Sequence, residues 1–273
     1  MTTPTTPPNT PVSQADVAGR FVWHDFMTPN VDEARAFYTS VLGWGIEMWG
    51  GAEGYAMWTV SGQPRGGFGP FTDEMRTQGV PAHWLTYIGV ADVDAKLAEA
   101  VRMGATAVHG PEDIPDVGRF AIVRDPQGAH FSLFASRQPM PVPMGADVPV
   151  GDTSWHELWT TDTAAAFDFY TKLFGWRSAG EFADPQIGVY RMFGLGEADL
   201  GGIAQITAEM KGMPPNWLPY FRVSDLEEAI VRVKTNGGKV LVGPMEVPGG
   251  DRIAQCLDAQ GGAFALHAVT SKG

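Results

Sequence analysis

The chain has 273 residues, of which 44% are hydrophobic and 18% charged, as in globular proteins with a substantial core. Its net charge of -12 disfavours nucleic acids and anionic membrane surfaces as partners, because like charges repel. A single cysteine, Cys256, excludes an internal disulfide and a cysteine-rich zinc site, and we interpret it as a buried, inert thiol.

The N-terminal segment MTTPTTPPNTPVSQ is rich in threonine and proline and contains no apolar run. This composition predicts a disordered tail over residues 1–19 and is unlike a secretory signal. No later stretch approaches the roughly 18 consecutive apolar residues that span a membrane. We therefore predict a cytoplasmic protein.

After the tail, a predicted strand with Trp-His-Asp at residues 23–25 leads into an amphipathic helix. Asn30 is a favourable N-cap for this helix, and Gly43 can adopt the left-handed conformation that ends it. Short alternating segments broken by glycine and proline follow and predict three strands. A second unit of the same plan begins at LTYIGVADVDA, with Asp92 as its predicted N-cap. Each unit is therefore a strand, a helix and three strands.

The second half of the chain repeats the first. After a shift of 132 residues, Trp155 and His156 match Trp23 and His24, and the helices match as well. A shift of 133 residues matches the segment 216–228 with 83–95. Self-similarity at a fixed spacing indicates tandem structural units.

We assign domain 1 to residues 20–136, a Pro-rich linker to residues 137–152, and domain 2 to residues 153–270. The predicted fold class is α+β, with four strand–helix–three-strand units in two tandem domains. A helix covers one face of such a sheet, so each domain is expected to curve around a cavity that suits a small molecule. We expect a monomer that forms an internal pseudo-dimer, or a homodimer.

The helix motif AxxFYxxxxGW and the turn DPQG before a closing strand (DAQG in the second half) resemble the vicinal oxygen chelate superfamily. This superfamily includes glyoxalase I, bleomycin-resistance proteins and extradiol dioxygenases. The resemblance covers about residues 20–136 and 153–270 and implies four βαβββ modules. It also implies a divalent metal, held by side chains on the first and last strands of each module.

The implied ligand positions that can be placed in this sequence hold poor ligands. In domain 1 they fall on Trp23, Leu85 and Ser132. In domain 2 they fall on Trp155, Leu218 and Ala265. Each domain has one further ligand position that we do not place, near RGGFGPF in domain 1 and near LGGIAQI in domain 2. Metals of this kind require imidazole and carboxylate donors. We therefore predict no metal and no other cofactor, with a divalent metal as the alternative.

Strand alternation divides the residues of the two repeated Trp-His-acid stretches. If Trp23 faces the cavity, Asp25 does too, whereas His24 faces the helices. The same alternation applies to Trp155, Glu157 and His156, so both histidines are predicted to be structural. For either histidine to bind a metal, a one-residue bulge would have to turn its side chain towards the cavity.

Asp25 and Glu157 are the predicted catalytic residues. A carboxyl group buried beside a tryptophan has a raised pKa and can act as a general base. The alternative is a structural acid, bonded to the backbone or paired with Arg119 or Arg252, which could also bind an anionic substrate.

Further positions are predicted to contact a ligand because they share the cavity side of their strands or could bind an anion. These are Trp23, Met27, Tyr87, Arg119, Trp155, Trp159, Tyr220, Arg222, Arg252 and His267. His83 and His130 also fall on the cavity side and could form a displaced pair in domain 1, although rim positions are the simpler interpretation. Trp84 and Trp217 alternate to the helix side and predict core packing.

Together these patterns predict a two-domain glyoxalase- or bleomycin-resistance-like protein that binds a small organic molecule between aromatic walls, without the family's metal. It would sequester the molecule, or carry out acid–base chemistry through Asp25 or Glu157. The alternative is a metal-dependent lyase of the glyoxalase I type or a dioxygenase. If the protein is an enzyme, the resemblance implies a lyase, an isomerase or a dioxygenase.

Overall fold

The computed structural model describes residues 17–138 and 148–270. The predicted tail lies outside the described residues up to position 16, and the centre of the predicted linker, 139–147, does so as well. Residues 17–19 do not belong to a tail, because Val17 is buried and Gly19 is bonded to domain 2. The described part contains no helix long and apolar enough to cross a membrane.

Domain 1 contains, within the described residues, eight strands and three helices. Its strands are β1 (Phe21–Thr28), β2 (Gly45–Met48), β3 (Ala56–Val60), β4 (Gln63–Pro70), β5 (His83–Gly89), β6 (Thr106–Ile114), β7 (Gly118–Arg124) and β8 (His130–Ser136). Its helices are α1 (Val31–Leu42), the short α2 (Asp73–Thr77), which the sequence analysis did not predict, and α3 (Val93–Arg102).

Domain 2 repeats this order with two long helices. Its strands are β9 (Thr153–Thr160), β10 (Arg177–Asp184), β11 (Gly188–Leu195), β12 (Ala198–Gln205), β13 (Asn216–Arg222), β14 (Lys239–Glu246), β15 (Arg252–Leu257) and β16 (Ala263–Ala268). Its helices are α4 (Thr163–Phe174) and α5 (Leu226–Thr235). The four predicted strand–helix–three-strand units are confirmed.

The two modules of each domain join edge to edge and form one mixed sheet. The strand order is β2-β3-β4-β1-β5-β8-β7-β6 in domain 1 and β10-β11-β12-β9-β13-β16-β15-β14 in domain 2. The first strands of the two modules pair antiparallel at the centre, and each pairs in parallel with the last strand of its own module. Each domain therefore has a single curled eight-stranded mixed sheet.

The local signals in the sequence account for the helix ends. The Asn30 side chain accepts a hydrogen bond from the Glu33 N–H at the start of α1, and Gly43 ends that helix with φ 70°. Asp162 and Gly175 have the same roles at the ends of α4. These are the conformations that N-caps and left-handed C-caps require.

The helix-covered faces of the two domains pack against each other. One core cluster joins the first module of domain 1, including Phe26 and Tyr38, to the second module of domain 2, including Phe221 and Phe264. A second cluster joins the other two modules in the same way. Arg65 of domain 1 forms an ion pair of 2.8 Å with the buried Asp152, the last residue of the predicted linker. The interface between the domains is therefore a continuous core with an approximate twofold relation.

Candidate functional site

Each sheet has a helix face, which packs into the interface between the domains, and an opposite face, called the inner face below. Trp23 and Leu85 belong to an inner-face cluster, whereas Phe26 belongs to the interface core. A bulge in the pairing of β1 with β5 falls at Val22, one residue before Trp23. It does not turn His24 inward, so the predicted alternation of Trp23, His24 and Asp25 is confirmed.

His24 and His156 meet at the interface between the domains. Their Nε2 atoms are 2.9 Å apart, so one neutral ring donates to the other. The ring of Phe21 stacks on His156 at a centroid distance of 3.5 Å. Burial lowers the pKa of His24 to about 3 and lowers that of His156 as well. Both histidines are neutral packing residues, as the alternation predicted.

The carboxylate of Asp25 lies on the inner face of domain 1 and accepts three hydrogen bonds. Its Oδ1 accepts from Tyr55 Oη at 2.7 Å and from Trp23 Nε1 at 2.8 Å. Its Oδ2 accepts from Tyr87 Oη at 2.7 Å. Burial raises the pKa of Asp25, and these hydrogen bonds to the charged form oppose the rise.

Glu157 occupies the equivalent position in domain 2. Its Oε2 accepts from Tyr190 Oη at 3.0 Å, and its Oε1 accepts from Tyr220 Oη at 2.9 Å and from Gln255 Nε2 at 2.8 Å. Trp155 Nε1 donates to Tyr190 Oη at 3.0 Å and does not reach the acid. The two inner faces thus carry the same arrangement, an acid held between two tyrosines beside a tryptophan.

Burial raises the pKa of Glu157 to about 7, although the hydrogen bonds from its partners oppose the rise. The buried Trp159 Nε1 forms no hydrogen bond within the described residues, so the bonds that hold the acid are those from Tyr190, Tyr220 and Gln255. A carboxyl group with a pKa near 7 exchanges a proton readily at neutral pH, as a general acid or base requires.

Three partners of the acids were missed by the sequence analysis. Tyr55 and Tyr190 are equivalent at an offset of 135 residues, which differs from the 132 of the first strands because the connections differ in length. The equivalence of Tyr55 and Tyr190 could have been recognised in the sequence only by aligning the segment at the start of β3 with β11. Gln255 has no counterpart of its kind, since Ile122 occupies the matching position of β7.

The comparisons with known proteins agree with this fold. The family model described as Glyoxalase/Bleomycin resistance protein/Dioxygenase superfamily matches residues 20–133 and 153–266, which is most of the chain. The chain belongs to this superfamily. The expected relationship to the vicinal oxygen chelate proteins is thereby confirmed.

Two named relatives match this superfamily member over most of their lengths. Putative glyoxylase CFP32 of Mycobacterium tuberculosis is 32% identical over 248 residues, which cover 89% of this chain and 92% of the relative. Anthracycline biosynthesis protein DnrV of Streptomyces peucetius is 28% identical over 269 residues, which cover 91% and 92%.

Solved structures share the fold at low sequence identity. The Mn(II)-bound glyoxalase from Novosphingobium aromaticivorans has a TM-score of 0.66 and 15% identity, with 92% of this chain and 82% of that chain covered. The dioxygenase LapB from Pseudomonas sp. KL28 has a TM-score of 0.66 and 14% identity, with 93% of each chain covered. These likenesses support the architecture alone.

The structure places the ligand position that the sequence analysis left open in each domain. Asp25 pairs with Gly67 on β4 in the same way that Tyr87 pairs with Ser132 on β8, so Gly67 is the equivalent of Ser132. By the same pairing, Gly202 on β12 is the equivalent of Ala265 in domain 2. Glycine offers no side-chain donor to a metal.

Tyrosine rings fill the space beside these glycines. A Cβ atom at Gly67 would lie 1.9 Å from Tyr55 Oη, and one at Gly202 would lie 2.1 Å from the Tyr190 ring. Among the residues that the structure describes, no group of three histidine, cysteine, aspartate or glutamate side chains is arranged to hold a metal. The residues at the family's ligand positions therefore do not fit a divalent metal, and the chemistry below uses the chain's own side chains.

The other residues that were predicted to contact a ligand lie partly on the inner faces and partly on the helix faces of the two sheets. Met27 and Trp159 occupy matching positions on the inner-face sides of β1 and β9, and His267 lies on β16 beside Arg222. His83 is bonded to the Pro81 carbonyl and stacks on Phe71, and burial lowers the pKa values of both His83 and His130.

Arg119 and Arg252 lie away from the acids, and the expectation that they pair with Asp25 and Glu157 is wrong. Arg119 contacts Asp94 at the start of α3, and Arg252 contacts Glu227 at the start of α5. Both arginines alternate with inner-face residues of β7 and β15 and so lie on the helix side.

Proposed function

We propose that this protein binds a small organic molecule on its inner faces and does so without the superfamily's metal. The observation that carries the proposal is the tyrosine-bonded acid in each domain. The tyrosines and the glycines beside them occupy the region where metal ligands would project. The half-buried tryptophans Trp23 and Trp155 supply flat apolar surface next to a polar group, as small-molecule sites do.

The ligand class that these faces favour is a flat, largely aromatic molecule. Trp155, Tyr190 and Tyr220 surround Glu157, and aromatic rings stack well on aromatic ligands. The name of the relative DnrV refers to anthracycline biosynthesis, and anthracyclines are polycyclic aromatic compounds. This supports an aromatic polyketide as the first compound to test.

A second function, metal-free proton transfer, is favoured by the environment of Glu157. As a carboxylate, it would accept a proton from one atom of the ligand, and the resulting carboxyl group would return it to another, which is an isomerisation. Tyr190 and Tyr220 would keep the carboxyl group in place during both steps. The pKa of about 7 suits both directions of transfer.

Ligand binding is tested by quenching of tryptophan fluorescence with an anthracycline aglycone. We expect saturable quenching in the wild type and at least tenfold weaker binding in Trp155→Ala, because a stacking surface is lost. Glu181→Gln, on an exposed residue paired with Arg191, serves as the control variant. An absence of saturable binding of any aromatic ligand would contradict the proposal.

The metal-dependent alternative is tested separately by elemental analysis of protein purified without chelator. We expect less than a tenth of an equivalent of zinc, nickel, manganese or iron per chain. One equivalent of any of these metals, removed by EDTA together with ligand binding, would favour the lyase or dioxygenase.

A further inference from the structure

The two inner faces differ at one end, next to the bulges that precede the tryptophans. In domain 1 this end is apolar, since Val17, Val22 and Phe134 pack with Tyr87 in one cluster. Gly89 lies beside them, and a Cβ atom there would come within 2.5 Å of the Val17 carbonyl oxygen. This end of domain 1 has no room for a polar group of a ligand.

The same end of domain 2 is polar. Ser154, Arg222 and His267 occupy the positions of Val22, Gly89 and Phe134. The pairing of β9 with β13 has a bulge at Ser154, as the pairing of β1 with β5 has at Val22, so Ser154 shares the inner face. Three matching positions are therefore apolar in domain 1 and polar in domain 2.

His267 and Ser154 are held in place by hydrogen bonds. Ser154 Oγ lies 2.8 Å from His267 Nδ1, and Asp251 Oδ2 lies 3.1 Å from His267 Nε2. The other carboxylate oxygen of Asp251 accepts from the Thr270 N–H at 3.1 Å. The negative charge of Asp251 is thus engaged by His267 and by the backbone.

Arg222 has no acidic partner within the described residues. The residue is half-buried, and its guanidinium group donates through Nη1 to the Val148 carbonyl oxygen. The remaining N–H groups of this side chain form no hydrogen bond to any described residue. A partly desolvated guanidinium without a carboxylate is a strong site for an oxyanion, because the planar group donates to two oxygens at once.

We propose that this polar end of domain 2 binds the oxyanion group of the ligand, a carboxylate, sulfonate or phosphate, through Arg222. The aromatic part of the ligand would lie against the half-buried Trp155. This inference rests on the proposed function, and it defines the ligand as an aromatic anion that domain 2 binds in preference to domain 1.

Two fluorescent probes of the same shape test the assignment. Anilinonaphthalene sulfonate and phenylnaphthylamine share one ring system and differ by the sulfonate group. We expect the wild type to bind the sulfonate more tightly than the neutral probe. Arg222→Met should weaken sulfonate binding about tenfold, the effect of losing one charge-assisted hydrogen bond, and should change binding of the neutral probe less than twofold.

Arg222→Lys should retain part of the preference for the sulfonate, because it keeps the charge without the planar geometry. Arg119→Met removes an arginine on the helix side of domain 1 and should change neither affinity. Equal losses for both probes in Arg222→Met, or no preference for the sulfonate in the wild type, would overturn the oxyanion site while leaving the proposed function standing. Failure of both probes and of the anthracycline aglycone to bind would overturn both.

Discussion

Tyr38 of domain 1 donates a hydrogen bond of 3.0 Å to Asp258 of domain 2, and Tyr170 of domain 2 donates one of the same length to Asp125 of domain 1. The tyrosines belong to the helix motif and the aspartates to the DPQG and DAQG turns. Two motifs that suggested the family are thus partners across the interface between the domains.

Tyr38→Phe should lower the free energy of unfolding by about 1–3 kcal/mol, because it removes a hydrogen bond to a buried carboxylate. Trp84 Nε1, which donates to Tyr38 Oη at 3.1 Å, would lose its acceptor as well. Tyr170→Phe should have a similar effect, since Trp217 has the same relation to Tyr170. Urea denaturation measures both losses. Thr39→Ala removes a hydroxyl group that bonds within α1 and should change the midpoint little.

The pH dependence of stability should reveal the histidine pair. The pKa of His24 falls from its ordinary value of 6.5 to about 3 in the folded protein, so the unfolded chain binds more protons between these values. The contribution of neutral His24 to the free energy of unfolding is therefore fully present above about pH 6.5 and is lost as the pH falls towards 3. At pH 5 the loss is about 2 kcal/mol for each imidazole that stays neutral in the folded state.

The raised pKa values of the buried carboxyl groups make stability change with pH in the opposite direction. The contribution of the histidines must therefore be measured by comparing variants with the wild type. Glu157 contributes stability below about pH 4.5 that is lost as the pH rises through about 7. The double variant His24→Gln/His156→Gln keeps this contribution and removes the imidazoles. It should lose less stability than the wild type between pH 7 and pH 5, measured by urea denaturation. His109→Gln, on an exposed histidine, is the control, and equal slopes for all three proteins would contradict the prediction.

The sequence was sufficient to predict the modules, the domain repeat and the face on which Asp25 and His24 lie, because these depend on local caps and on strand alternation. It was insufficient for the partners of the acids. Tyr55 immediately precedes β3 and Gln255 lies on β15, and the register of these strands with the central strands is set by pairing over long sequence distances. The arginines were misplaced for a related reason, since composition alone does not show that Arg119 is paired with Asp94 at a helix start.

Gly67→Ala and Gly202→Ala should each destabilise the protein by about 1–3 kcal/mol, because the added methyl group overlaps a tyrosine ring that cannot move without breaking its bond to the acid. Thermal unfolding measures the loss. Gly50→Ala is the control, since a Cβ atom there meets nothing within 4 Å. A neutral effect at both test positions would show that the tyrosines do not occupy the ligand positions rigidly.

Gln255 and Ile122 offer a reciprocal exchange between the domains. Gln255 donates to both Glu157 Oε1 and Tyr220 Oη at 2.8 Å, and so stabilises the ionised form of the acid. Gln255→Ile should raise the pKa of Glu157 above its value of about 7 by about one unit, since a donor to the charged form is lost. Ile122→Gln should lower the pKa of Asp25, because the matching position of β7 then carries a donor.

Carboxyl carbon chemical shifts of protein labelled with carbon-13 at glutamate and aspartate side chains measure both values in a pH titration. If Glu157 transfers the proton, the pH at which turnover is half-maximal should shift with its pKa in Gln255→Ile, while the KM for the ligand changes less than kcat. An unchanged Glu157 titration in Gln255→Ile would show that the amide is only a packing group. A shifted titration with an unshifted pH profile would remove Glu157 from the chemistry.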